Sequence, residues 1–422
     1  MRNTDYFKGK KVAVVGLARS GIACANLLFE LGAEVSVTDN KDTESIRLAA
    51  SKLKSKEIKL ELGRHSPSFI KDKDLVVISP GVPANAEPVV WAEKFNVSLI
   101  SEIELAWLLC PATVIAVTGS NGKTTVTTLI GKILEAKGRK AFVCGNIGNP
   151  FSGEVAKMTE EDYVSLEVSS FQLEAVDKFK PKISVILNFS KNHLDRHKDM
   201  EEYLSAKKHI FMNQDKTDHL VINSEDNVLR KLTQEVRVPV VYFSRIPGLS
   251  PDQSAVLTVA GLLGIEKELC LGVFKDFKGV EHRQEYVADI NGVRFINDSK
   301  ATTVESAVYA LENIERPVVL IAGGKDKGLD YSGILGSGRK KIKQVILIGE
   351  AKEKIKKALN GELPVCDAAS LQEAVNIAFN KSSSGDCVLF SPMCSSFDMF
   401  CDYEERGRVF KEAVLGLAKG KN

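Results

Sequence analysis

Short apolar, β-branched runs recur along the chain, and most are followed by a turn and a segment with apolar positions three and four apart. In the first hundred residues they are Lys11–Val15, Glu34–Thr38 and Leu75–Ser79. Val114–Val117, Lys140–Val143, Tyr163–Leu166, Ile183–Leu187, His219–Asn223 and Val240–Phe243 follow. A last series comprises Glu285–Ile290, Val293–Ile296, Pro317–Ala322, Gln344–Ile348 and Cys387–Ser391. Strands that alternate with helices predict α/β units with parallel sheets. Asn291-Gly292 between two runs is a tight-hairpin signal. The stretch from Trp91 to Cys110 reads as strand plus helix, with Pro111 as a joint. Ser244 to Phe274 reads as loop and short helices, and Asn297 to Asn313 as the opening and body of a helix.

The turns carry the chemistry. Val114–Val117 enters Thr118-Gly119-Ser120-Asn121-Gly122-Lys123-Thr124-Thr125 and then a helix-compatible run. Such a loop aims backbone N–H groups at one point, adds the positive end of a helix dipole, and offers a lysine to phosphate and a hydroxyl to Mg²⁺. It is the short form Gly-x-x-Gly-Lys-Thr, because Val117 stands where the full P-loop has glycine. Glu167, at the end of a run, is placed as the second anchor of Mg²⁺. Asn146, in a second glycine turn, is placed near the nucleotide. His193 and His197 stand four apart without a third ligand at zinc spacing, so His193 reads instead as a Mg²⁺ ligand or acid/base group. Lys207 shares the more apolar side of its helix with Tyr203 and Ile210, a pattern that by itself reads as a lysine reaching outward for water.

Nearer the N-terminus, Gly16-Leu17-Ala18-Arg19-Ser20-Gly21 follows a strand, and Asp39 closes the next one. This is the layout of a dinucleotide-binding unit, but Ala18 replaces the central glycine, which points to a nucleotide diphosphate held differently from NAD. The expected architecture has three domains: a Rossmann-like unit over residues 1–102, a P-loop-type ATPase unit over 103–280, and a second Rossmann-like unit over 281–422. Arg283, outside the P-loop unit, is a candidate clamp for a phosphoryl group on domain closure.

Composition narrows the classes. The chain has 422 residues, enough for two to four domains, and its 31 glycines suit many strand-to-helix turns. A net charge of +2 gives no global field for nucleic acid or anionic membrane. Its eight cysteines are scattered without CxxC or zinc spacing, as in a reducing cytosol. MRNTDYFKGKK lacks the apolar core of a signal peptide, and no run approaches a membrane span. A cytoplasmic protein is expected.

Taken together, GSNGKTT, EVSSFQLE, NHLDRH, EYLSAK, EHR, NDSKATT and SPMCSSFD, in this order and spacing, resemble the Mur ligases. The likeness is nearest to members that add D-glutamate to UDP-N-acetylmuramoyl-L-alanine in peptidoglycan precursor synthesis. The resemblance implies a monomeric amide ligase that uses ATP and two Mg²⁺ ions and passes through an acyl phosphate. Gly119, Asn121, Gly122, Lys123, Thr124 and Thr125 would hold the ATP phosphates, with Thr124 and Glu167 on one metal and His193 on the other. Lys207 would be carbamylated, which converts a cation into a carboxylate-like metal ligand. Arg283 and Asp298 would bind ATP, and Lys300 would support the phosphate region. Thr302, Lys327, Ser396 and Tyr403 would receive D-glutamate, and Lys327 would also act in catalysis. Gly16, Leu17, Ala18, Arg19, Asp39 and Asn146 would contact the UDP-sugar.

Two departures from the family pattern stand out. Asn192 occupies a position where members often carry aspartate, and residues 244–264 lack the usual adenine-contacting asparagines. Among rival readings, a nicotinamide dehydrogenase leaves the P-loop unexplained. A nucleotide switch makes no amide, and a diamino-acid ligase would carry a DNPR motif, which this chain does not have.

Overall fold

The strand-and-helix repeats become three sheets. The first contains β1 (Lys11–Val15), β2 (Glu34–Asp39), β3 (Lys59–Leu62), β4 (Leu75–Ile78) and β5 (Ser98–Ser101). All are parallel, in the order β3-β2-β1-β4-β5. The second holds β6 (Thr113–Thr118), β7 (Ala141–Gly145), β8 (Tyr163–Glu167), β9 (Ile183–Ile186), β10 (His219–Asn223) and β11 (Val240–Phe243). It too is parallel throughout, in the order β11-β10-β9-β6-β8-β7. The third holds β12 (Glu285–Ile290), β13 (Val293–Asn297), β14 (Val318–Gly323), β15 (Ile342–Ile348), β16 (Val365–Asp367) and β17 (Cys387–Phe390). Its order is β12-β13-β17-β14-β15-β16, with only the β12/β13 hairpin antiparallel. The computed structural model describes residues 1–190, 196–233 and 236–419. The chain divides into two compact units, Met1–Lys275 and Asp276–Asn422.

In the first unit one core runs from Phe7 through the first sheet and into the second. The helix Glu102–Leu109 joins them, with Ile103, Leu105, Ala106 and Leu109 all buried. A helix apolar around its circumference belongs inside a core rather than on a surface. Its two buried carboxylates are accommodated by backbone donors. Glu104 accepts the N–H groups of Asp177 (3.1 Å), Lys178 (2.9 Å) and Phe179 (2.9 Å), and Glu102 accepts that of Ser152 (2.7 Å). Burial still raises the Glu104 carboxyl above its ordinary range, with the three N–H groups pulling the other way.

Several local expectations are revised. β3 and β16 escape a search for apolar runs because they are short edge strands with exposed or half-buried residues. Trp91 lies in a helix, Glu87–Lys94, ahead of β5. Residues 298–303 are a loop, and the helix Val304–Glu312 begins only where Thr303 Oγ1 accepts the Ser306 N–H. Residues 251–262 form a full helix behind a Ser250/Gln253 capping box. The Asn291-Gly292 signal holds: both residues have positive φ, 52° and 80°, as a two-residue hairpin with a type I′ turn requires.

Candidate active site

β6 is the topological switch of its sheet, because the chain continues to β8 and β7 on one side and to β9, β10 and β11 on the other. Ligands of open α/β sheets bind outside the carboxyl ends of strands at such a point. There the loop 119–122 leads into the helix Lys123–Ala136, and Gly122, its N-cap, has φ 80°, a conformation glycine adopts without cost. Asn188, after β9, braces the loop: its Oδ1 accepts the Asn121 N–H (2.8 Å) and its Nδ2 donates to Asn121 O (3.2 Å).

A string of three side chains crosses the strand ends. Thr124 Oγ1 donates to one Glu167 oxygen (2.7 Å), and Asn146 Nδ2 donates to the other (2.7 Å). Gly145 permits the approach, since a Cβ there would sit 2.4 Å from Glu167 O. Glu167 and Thr124 are both buried. A carboxylate and a hydroxyl in contact form a hard-oxygen pair of the kind Mg²⁺ takes, so these residues fit that ion. Thr125, half-buried, follows in the first turn of the helix.

Two lysines converge on the same loop. Lys123 Nζ donates to Gly119 O (2.9 Å) and Ser120 O (3.0 Å), and Lys207 Nζ donates to Gly119 O (3.0 Å) and Thr118 Oγ1 (3.3 Å). Lys207 is only 1% exposed, so it does not reach outward for water as its helical pattern suggested. Burial, and secondarily the neighbouring Lys123, push its amine well below the usual lysine range. A depressed amine is more often neutral and nucleophilic. As a plain amine Lys207 offers no oxygen ligand of the kind Mg²⁺ takes. His193 lies outside the described residues, and among those described no group of three or more His, Cys, Asp or Glu is placed to hold a metal. His197, 2% exposed, bonds through Nε2 to Ser170 Oγ (2.9 Å) and packs on Phe171 and Tyr203 as a core ring.

Gly16, Leu17, Ala18, Arg19 and Asp39 line a cavity of about 560 Å³ in the first sheet's half, together with Lys41, His65 and the turn Ser79–Pro83. Asp39 is already engaged: Oδ2 accepts the Leu17 N–H (2.8 Å) and Oδ1 the Lys41 N–H (2.9 Å). The carboxylate thus sets the shape of the loop where the central glycine is missing, with lone pairs left for a ligand. Arg19 is exposed and reaches Gly148 O (3.4 Å), on the turn that bears Asn146.

In the second unit the carboxyl ends of β13, β17 and β14 carry the remaining residues. Asp298 is buried, with Oδ1 accepting the Gln284 N–H (3.2 Å) and Oδ2 the Ser391 hydroxyl (2.9 Å). Burial raises its carboxyl to about 7, opposed by those two bonds and by the charge of Arg283. Lys300 Nζ sits 3.6 Å from the Tyr403 ring centroid, a cation–π contact. Ser396 is buried, Thr302 half-buried and Lys327 exposed.

Sequence reasoning missed the residue that holds these loops. Arg406, 1% exposed, donates to Ser299 Oγ (3.0 Å), Ser299 O (2.7 Å) and Cys394 O (3.1 Å). It ties the NDSKATT loop to the SPMCSSFD loop, and burial lowers it to about 10. Nothing in the charged C-terminal helix distinguishes it in sequence. Arg196, within NHLDRH, likewise bonds to carbonyls distant in sequence, those of Pro80 and Val82.

Residues 10–101 match the Mur ligase MurD-like N-terminal domain, 117–249 the Mur ligase middle domain, and 282–394 the Mur ligase glutamate ligase domain. A UDP-N-acetylmuramoylalanine–D-glutamate ligase of Thermoanaerobacter sp. (strain X514) is 39% identical over 451 aligned positions, covering 98% of this chain and 99% of its own length. The enzyme of the same name from Clostridioides difficile (strain 630) is 38% identical, with 97% and 99% covered. Among solved structures, the UDP-N-acetylmuramate-alanine ligase of Thermotoga maritima shares the fold at a TM-score of 0.58 and 18% identity, over 97% of this chain and 100% of that one. The chain belongs to the Mur ligase family.

Proposed function

We propose that the protein is an ATP-dependent, ADP-forming ligase that joins the amine of D-glutamate to the alanyl carboxylate of UDP-N-acetylmuramoyl-L-alanine, a step of peptidoglycan precursor synthesis. The observation that carries the reading is the end-to-end likeness to enzymes named for that reaction. The 560 Å³ cavity beside a glycine turn and the Thr124–Glu167 pair beside a phosphate loop support it independently.

In this reading the substrate carboxylate attacks the γ-phosphorus of ATP, ADP leaves, and an acyl phosphate forms. The D-glutamate nitrogen then attacks the acyl carbon and loses a proton as phosphate departs. Lys123 and the N–H groups of residues 119–125 bind the polyphosphate, and Lys123 follows the transferred group and spreads its charge. Thr124 and Glu167 would hold Mg²⁺, which neutralises charge on the phosphates, and Asn146 keeps the Glu167 carboxylate aimed. Gly16 to Arg19 and Asp39 take the UDP moiety. Arg283 and Asp298 are assigned to ATP, Lys300 to the phosphate region, and Thr302, Lys327, Ser396 and Tyr403 to D-glutamate. The lowered Lys207 amine suits reaction with CO₂, and a carbamate there, with His193, would supply a second metal site. The enzyme works as a monomer in the cytoplasm, and no helix among the described residues is long and apolar enough to cross a membrane.

The test supplies ATP, Mg²⁺, UDP-N-acetylmuramoyl-L-alanine and one amino acid at a time, and measures phosphate and amide. D-Glutamate alone should give both in equal amounts. Phosphate release indifferent to D-glutamate, with no amide, would overturn the reading.

A further inference from the structure

Arg196 enters none of the roles assigned above, yet its side chain is among the most fully engaged in the first unit. Nη1 donates to Pro80 O and Nη2 to Val82 O, each at 2.7 Å. The guanidinium carbon lies 4.2 Å from the Phe171 ring centroid, and Nη2 is 3.7 Å from Glu174 Oε2. Phe171 and Glu174 belong to the segment that directly follows Glu167, whereas Pro80 and Val82 line the 560 Å³ cavity. One side chain therefore joins the wall of the cavity to the strand end that carries the Thr124–Glu167 pair.

The chemistry of the contact is specific. A guanidinium presents a planar fork, and two carbonyls two residues apart on a tight turn match its spacing. The turn is closed by Val82 N–H to Ser79 O (3.0 Å). Because a trans peptide sets C=O and N–H on opposite sides, engaging Pro80 O directs the Gly81 N–H away from the arginine. That N–H has no hydrogen-bond partner among the described residues. Gly81 itself lines the cavity.

We propose that Arg196 is a positioning residue for the nucleotide-diphosphate substrate: it fixes the Pro80–Val82 turn as a cavity wall and holds it in register with the phosphate-loop half of the unit. The inference rests on the reading given under the proposed function for the ligand's identity. Removing the arginine leaves the turn's carbonyls to water and lets the wall move. Affinity for the nucleotide-sugar falls while the phosphate loop, braced separately by Asn188, keeps its grip on ATP.

The experiment uses the full chain and the variants Arg196→Met and Arg196→Lys. KM is measured for each of the three substrates, and UDP-N-acetylmuramoyl-L-alanine is titrated calorimetrically without ATP. Loss of two charge-assisted bonds predicts a rise of about ten- to a hundredfold in KM and Kd for the nucleotide-sugar in Arg196→Met. KM for ATP should stay within about twofold. Arg196→Lys, a single point donor, should fall between, and it decides the matter if the Met variant does not fold. An unchanged nucleotide-sugar Kd, or equal rises in all three KM values, would overturn the proposal. The calorimetric arm needs no turnover, so a wild-type chain that binds the nucleotide-sugar but makes no amide would fault the ligase reading and leave this inference standing.

Discussion

Asp298 offers a prediction whose size follows from its surroundings. Burial raises its carboxyl from an ordinary 3.8 to about 7, so the folded chain holds this proton to higher pH than the unfolded chain does. Between those values unfolding releases a proton, and stability must fall as pH rises. Below about pH 4 both states are protonated and the contribution vanishes; above about pH 7 it reaches its full value, about 4 kcal/mol against folding as an upper bound. Arg283, Ser391 and Gln284 reduce it.

Asp298→Asn should imitate the protonated form. Its oxygen can accept the Gln284 N–H while its amide donates to Ser391 Oγ, because a hydroxyl is acceptor as well as donor. The variant should match the wild type at pH 4 and exceed it by about 2–4 kcal/mol at pH 8. Trp91 and Trp107 both lie in the first unit, so fluorescence does not report on the second. The assay is hydrogen exchange of the β13 and β17 amides in both proteins, corrected for intrinsic rate. A wild-type-minus-variant difference that is flat with pH, or that favours the wild type as pH rises, would refute the reasoning.

Thr124→Val removes the donor to buried Glu167 and should lower kcat/KM about 10- to 150-fold in the coupled phosphate assay, with thermal stability little changed. Lys207→Met should abolish amide formation yet leave the ligand-free protein about 1–2 kcal/mol more stable to urea, since it deletes a buried amine whose acceptors are a hydroxyl and a carbonyl rather than a carboxylate. Because the folded Lys207 amine is depressed, the unfolded chain binds the extra proton, and the wild type should close this gap as pH rises toward the lysine range. Glu104→Ala leaves the three backbone N–H groups of residues 177–179 without their acceptor and should cost about 2–4 kcal/mol of first-unit stability, read by Trp107, whose Nε1 bonds to Lys180 O on the same loop. Unchanged urea midpoints in this variant would show that the helix joining the first two sheets does not depend on that carboxylate.

The sequence by itself determined the α/β class, the three sheets and the family, because a strand, a glycine turn and a helix are local patterns, and GSNGKTT or SPMCSSFD are contiguous stretches. It located Thr124, Glu167 and Asn146 as separate candidates. Only the fold decided that one carboxylate receives both of the others, since β8 lies between β6 and β7 although β7 precedes it in the chain. The short edge strands β3 and β16 left no apolar signature, because an edge exposes its residues. Burial was likewise invisible. Lys207 reads on a helical wheel as a lysine that finds water, and Asp298 as one more acid in a polar loop. Their shifted titration comes from burial by segments distant in sequence, joined for Lys207 by the charge of Lys123 and opposed for Asp298 by the Ser391 hydroxyl. Arg196 and Arg406 were wholly tertiary: each draws its meaning from carbonyls about a hundred residues away or on a separate loop, which no spacing along the chain encodes.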